Sequence, residues 1–232
     1  MDNSLRNRSV DKQRMRTFDF VDVNPGLSGL HFAAEAEGGE CVGVLAIKPL
    51  EIAAFEAFHG RGSAAGPEEP CDLVLTCLPF SLFARGKGCD PAVSDLVKVA
   101  RQVKGAVASL FCVPWKKAFA LGVSVDDFVS AVEAHYAADR WHVSSAVTDG
   151  HDALYICAVD RKKWNGRDTL PSIWPKTLVP ANGNPQEMMA AFGYPANFAL
   201  QSGATAHKIE AGIVVVHNAR AAVAGVVGAI GE

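Results

Sequence analysis

Two carboxylates and an imidazole stand together at Asp149, His151 and Asp152, and a cysteine, Cys157, follows shortly after. Such a group can bind a metal or move protons, and a thiol assisted by His142 or His151 can serve as a nucleophile. The same residue types also have a structural use. Asp149-Gly150 is a pair that a tight hairpin turn requires, and Cys157 lies between Ile156 and Ala158 as a small apolar residue would. Turn chemistry is the expected role of the acidic group, and a small cytosolic enzyme built on Cys157 or on Asp149, His151 and Asp152 is the alternative.

A second constellation mixes cations with indoles: Arg161, Lys162, Lys163, Trp164, Arg167 and Trp174. Indoles stack on bases or sugars while cations pair with phosphates. Trp and Arg are equally enriched at subunit interfaces, which is the reading favoured here. A ligand-binding module using the Trp164 and Trp174 loop is a further alternative. The run Ala84 to Gly88 offers glycines ahead of a helix, but it lacks the order of a phosphate loop and Asp90 would repel an anion. A flexible turn is expected there.

Residues 1–16 differ in composition from the rest. Arg6, Arg8, Lys12, Arg14 and Arg16 face only Asp2 and Asp11, a net +3, which leaves −6 for residues 17–232. The expected organisation is a basic flexible arm over 1–16 ahead of a single domain over 17–232. The arm would contact nucleic acid or a neighbouring subunit.

The elements that must position these groups follow from periodicity. Asp90-Pro91 is a helix start, and Val93, Leu96, Val97, Ala100 and Val103 recur at helical steps, with Val107, Leu110 and Phe111 continuing the series. Ser124 with Asp127 resembles a capping box, ahead of a helix burying Phe128, Val129, Val132, His135 and Tyr136. From Trp141 the period becomes two, and Leu154 to Val159 returns as a strand buried on both faces. Asp90 to Asp160 therefore reads as two helices followed by a β-hairpin.

Earlier in the chain, Phe18 to Val23 suggests a strand ended by Asn24-Pro25-Gly26. Leu30, Phe32 and Ala34 alternate, Gly38-Gly39 offers a turn, and Cys41 to Ile47 returns. The expectation is an antiparallel N-terminal sheet. Leu73 to Leu78 reads as a further strand. Arg161 to Asn184 is a long loop, a short helix is expected after Asn184-Pro185, and a helix over His207 to Ile230, where Ile213 to Val216 also suits a strand. The fold class expected is α+β: N-terminal antiparallel strands, a central two-helix plus β-hairpin unit, and C-terminal helices.

The chain has 232 residues, 49% hydrophobic and 20% charged, which excludes global disorder. Its six cysteines form no CxxC pair or zinc spacing, so neither cofactor nor metal is expected. The N-terminus is polar, unlike a classical signal peptide, and Ile213 to Ile230 is interrupted by His217, Asn218 and Arg220, unlike a membrane span. A cytoplasmic or virion location is expected. With no catalytic signature in place, the expected function is a self-assembling structural protein, a viral or phage coat, nucleocapsid or tail-type subunit. It would form homo-oligomers and touch nucleic acid through its arm.

Overall fold

A computed structural model describes residues 18–24, 29–45, 70–78, 91–115, 122–149, 153–174 and 218–230. These residues form β1 (Phe18–Val23), α1 (Leu30–Ala36), β2 (Gly39–Leu45), β3 (Leu73–Cys77), α2 (Pro91–Gln102), β4 (Ala108–Pro114), α3 (Val125–Glu133), β5 (Trp141–Val147), β6 (Ala153–Asp160) and α4 (Ala219–Ala229). The six strands make one sheet in the order β2-β1-β3-β4-β6-β5.

The first four strands are all parallel. Phe18 pairs with Gly39, Phe20 with Leu73, and Leu73 with Ala108. Antiparallel pairing begins at β4 and β6, where Ala108 faces Val159, and continues between β6 and β5. The expectation of an α+β fold with an antiparallel N-terminal sheet is therefore corrected to a mixed, largely parallel α/β sheet. The physical reason lies between Asn24 and Gly38. Leu30, Phe32 and Ala34 are not a strand but part of α1, and a helical connection returns the chain parallel rather than as a hairpin.

A second correction concerns the central stretch, which is helix, strand, helix and then hairpin. α2 ends at Gln102, and Gly105, in the left-handed region at φ 76°, turns the chain into β4. Val107, Leu110 and Phe111 thus leave the helical stripe; Leu110 and Phe111 lie fully buried on opposite faces of the strand. The expected hairpin is present over β5 and β6, and every residue of β6 is buried. Ser124 and Asp127 exchange both bonds of a capping box at 3.2 Å. α4 falls within the helix expected over His207 to Ile230, while residues 46–69 and 175–217 lie outside the described residues.

Helices cover both faces. α1 and α4 pack over Phe18, Phe20, Leu73, Leu75, Leu110 and Tyr155. α2 and α3 pack over Val21, Val23, Val74, Phe111 and Ile156. This is the three-layer arrangement of a doubly wound sheet. Leu96, 3% exposed on α2, anchors the second face. Leu96→Ala is expected to cost about 2–4 kcal/mol through lost burial and a residual cavity, read by urea unfolding. An effect within error of zero would place α2 with another face inward.

Candidate functional site

The sheet order fixes where a site can be built. From β1 the chain goes to α1 on one face, and from β3 it continues to α2 on the other. Neighbouring parallel strands whose following helices part to opposite faces leave a topological switch point, and in open α/β sheets ligands bind outside the carboxyl ends of the strands there. In this chain the switch lies between β1 and β3, whose ends are held in register with Val23 opposite Thr76.

Several polar groups lie at those ends. Asp22 is fully buried on β1, and its Oδ2 lies 3.2 Å from Nδ1 of His31 in the first turn of α1. His31 Nε2 lies 3.5 Å from Glu35 Oε1 one turn on, the i,i+4 spacing that puts both on one helix face. Burial alone would lower the His31 pKa, but the bonds to Asp22 and Glu35 overcome it and push it up to about 9. His31 is therefore an imidazolium at neutral pH, held by one buried and one half-exposed carboxylate. Burial pushes the Asp22 carboxyl above the ordinary carboxylate range, against the opposing pull of His31.

Asn24, immediately beyond β1, is 1% exposed and adopts a left-handed backbone at φ 59°, a conformation Asn tolerates better than most residues. Its side-chain Nδ2 donates to the carbonyl of Cys77 at the end of β3, so one amide spans the switch point. The other end of that amide, Oδ1, is buried with no hydrogen-bond partner among the described residues, and so are Asp22 Oδ1 and Thr76 Oγ1. Cys77 itself is 6% exposed at the carboxyl end of β3.

None of Asp22, Asn24, His31 and Cys77 stood out as chemistry in the sequence. A strand, then Asn24-Pro25-Gly26 and Gly29, then a helix was the available signal. It was obscured because Leu30 to Ala34 alternates like a strand.

The residues that did stand out lie elsewhere. Cys157 is fully buried in the middle of β6, and burial pushes its thiol up to about 12 despite a bond to Thr169. Cys112 is likewise buried and its thiol raised well above the ordinary range, again chiefly by burial. Neither carries the thiolate that nucleophilic chemistry needs. In the native protein Cys157 should react with a thiol reagent at least about a hundredfold more slowly than in the denatured chain, since reaction waits on opening. Fast native labelling assigned to Cys157 by mass spectrometry would contradict this.

Asp149 is exposed in the β5–β6 connection, while His151 and Asp152 lie outside the described residues. Among the described residues no group of three His, Cys, Asp or Glu side chains could hold a metal ion. His142 stacks on Trp164 at 3.9 Å and 6°, and burial followed by the nearby Arg161 lowers its pKa. Arg161, Lys162, Lys163 and Arg167 are exposed beyond the carboxyl end of β6. Because β6 runs against β4, that edge is opposite to the switch point. Trp174 is 4% exposed and stacks on Tyr155 at 5.2 Å. Arg6, Arg8, Lys12, Arg14 and Arg16 lie outside the described residues. Among the described residues no helix is long and apolar enough to cross a membrane.

No protein-family model and no curated protein sequence matches the chain. Its structure is similar to the Dnmt2 methyltransferase of S. pombe, with TM-score 0.44 and 12% identity over 61% of this chain and 49% of that one. The match thus spans about half the length of the S. pombe protein. It is also similar to a ribosomal protein L11 methylase from Lactobacillus delbrueckii subsp. bulgaricus, with TM-score 0.41 and 14% identity over 62% of this chain and 70% of that one. A SAM-dependent methyltransferase from Aquifex aeolicus gives TM-score 0.41 and 12% identity over 62% and 83%. The sheet observed is a doubly wound one with a switch point. The expectation of a structural, self-assembling coat, nucleocapsid or tail subunit of a capsid or virion is corrected: the similar structures just given are named as methyltransferases or a methylase, and none of the three as a coat or capsid protein.

Proposed function

We propose that the chain is a group-transfer enzyme that binds a phosphate-free nucleoside co-substrate outside the carboxyl ends of β1 and β3. The observation that supports this most is the switch point, where the buried amide of Asn24 joins the two strand ends and keeps one oxygen unpartnered among the described residues. Doubly wound sheets that bind dinucleotides offer backbone N–H groups to a pyrophosphate at the end of the first strand. This chain instead offers acceptors there: the second oxygens of Asp22 and Asn24. Acceptors of this kind pair with a donor such as an amine or ammonium and not with the acceptor oxygens of a phosphate. The glycine pattern agrees, since Gly26 and Gly29 fall short of a G-x-G-x-x-G fingerprint.

SAM, on which one of the similar structures depends by its name, joins a nucleoside to an ammonium and carries no phosphate, so it is the probe of first choice. Isothermal titration of the full chain with SAM, ATP and NAD should show binding of SAM and none, or far weaker binding, of the two phosphate-bearing ligands. Preference for ATP or NAD, or no heat with any of the three, would contradict the proposal.

A further inference from the structure

We infer that the edge of the sheet opposite the switch point is a docking surface for nucleic acid, read without regard to sequence, with Lys162, Lys163 and Arg167 pairing with its phosphates. This surface is separate from the co-substrate site proposed above. Residues 161–167 hold four cations and no carboxylate, in a chain whose net charge is −3. They follow β6 directly, on a turn braced from several sides. The backbone N–H groups of Lys163 and Trp164 donate to the Asp160 carbonyl at 2.9 and 3.0 Å. The Trp164 indole donates to the Arg167 carbonyl at 2.8 Å. Asn165 donates through its backbone to the Ala229 carbonyl and through its side chain to the Gly228 carbonyl, both on α4. A turn fixed in this way has little backbone ordering left to lose on binding.

Not every charge here is available. Asp160 is 6% exposed, and its carboxylate takes Arg140 on Oδ2 and the Lys162 backbone N–H on Oδ1, each at 3.0 Å. Arg161 commits its Nε to the carbonyls of Ala138 and Trp141. Lys162, Lys163 and Arg167 differ: all three are exposed, and among the described residues no carboxylate lies within ion-pair distance of them. Asp168, exposed after Arg167, is the acid beside them in sequence.

The indoles that would anchor a subunit interface are turned inward. Trp174 is buried against Tyr155, and Trp164 lies flat on His142 and packs on the core under α4. Among the described residues the exposed large hydrophobics are Val99 and Ile173 alone. A protein interface has an apolar centre depleted of charge, and a membrane surface takes inserted apolar side chains as well as cations. Unpaired cations on a braced polar turn suit a polyanion instead, contacted at its phosphates and not at its base edges.

Fluorescence anisotropy of the full chain tests this, with a labelled duplex DNA and a labelled single-stranded RNA, each of about 20 nucleotides per strand, from about 50 to 200 mM salt. The wild type should bind at least one probe, with log K falling linearly as log salt rises. The triple variant Lys162→Gln, Lys163→Gln, Arg167→Gln removes only exposed, unpaired side chains and should fold as the wild type does. It should bind at least about tenfold more weakly at the low-salt end, with a slope shallower by about 2–3, the loss expected for three phosphate contacts. Lys162→Arg with Lys163→Arg keeps the charge and should bind like the wild type. Failure of the wild type to bind either probe would overturn the inference. So would an unchanged affinity and slope in the triple variant, which would place the contact elsewhere in the chain. Self-association that the triple variant abolishes, with no nucleic acid bound, would overturn it in favour of a subunit interface.

Discussion

Phe111→Ala should lower the unfolding free energy by about 3–5 kcal/mol, the largest loss expected from one truncation in this chain. Phe111 sits at the centre of β4, fully buried, with β3 on one side and β6 on the other. Its ring meets Tyr136 edge to face at 6.0 Å, and Tyr136 in turn donates its hydroxyl to Ser109 Oγ at 2.8 Å. Truncation therefore opens a cavity between the sheet and the end of α3 at a point where neither can collapse without moving a bonded tyrosine. Phe111→Leu keeps most of the volume and should cost less than about 2 kcal/mol. Urea unfolding of both variants checks the pair. A loss below about 1 kcal/mol for Phe111→Ala would place the residue on an open surface.

Asp22→Ala should cost about 3 kcal/mol at pH 6, and the cost should shrink as pH rises toward 9. At pH 6 the wild type holds a buried imidazolium between Asp22 and Glu35. Removing the buried carboxylate leaves that charge to Glu35 alone, or forces His31 to lose its proton on folding. The sign follows from the folded pKa of His31, which is raised from 6.5 to about 9. A raised histidine stabilises fully below its unfolded pKa, and that contribution fades between about 6.5 and 9. Burial raises Asp22 as well, which works in the same direction, with wild-type stability falling as pH rises. Thermal or urea unfolding of wild type and variant across pH 6 to 9 reads the difference. A constant or widening gap would show that His31 is neutral throughout and that the pair is a neutral hydrogen bond.

The sequence was most readable where local chemistry decides structure. Ser124 and Asp127 announce α3 through backbone bonds made within one turn, and Trp141 to Asp160 announces its hairpin through alternation around a turn-forming pair. Two misreadings came from elements too buried to show a period. α1 is a seven-residue helix with Leu30, His31, Phe32, Ala33 and Ala34 all buried, so it has no polar stripe to mark its turns. β4 is covered on both faces, and its apolar run extends the three-and-four spacing of α2 until Gly105 breaks it.

Missing α1 had the larger consequence. Without a helix between β1 and β2 there is no parallel sheet, and without a parallel sheet there is no switch point at which Asp22, Asn24, His31 and Cys77 would meet. The residues that looked chemical, Cys157 and the Asp149 turn, were visible because their types are reactive. The residues that converge were not, because their meeting depends on partners such as Asn24 and Cys77 that are distant in sequence and adjacent only across the sheet.

Hydrogen-exchange mass spectrometry of the full chain with and without SAM tests the central claim most directly, because it reports where the ligand sits. Added protection should concentrate in peptides that span residues 18–24, 29–36 and 73–78, at the carboxyl ends of β1 and β3. Protection confined to residues 140–142 and 161–174, at the opposite edge of the sheet, would place binding on the cationic loop and contradict the switch-point site.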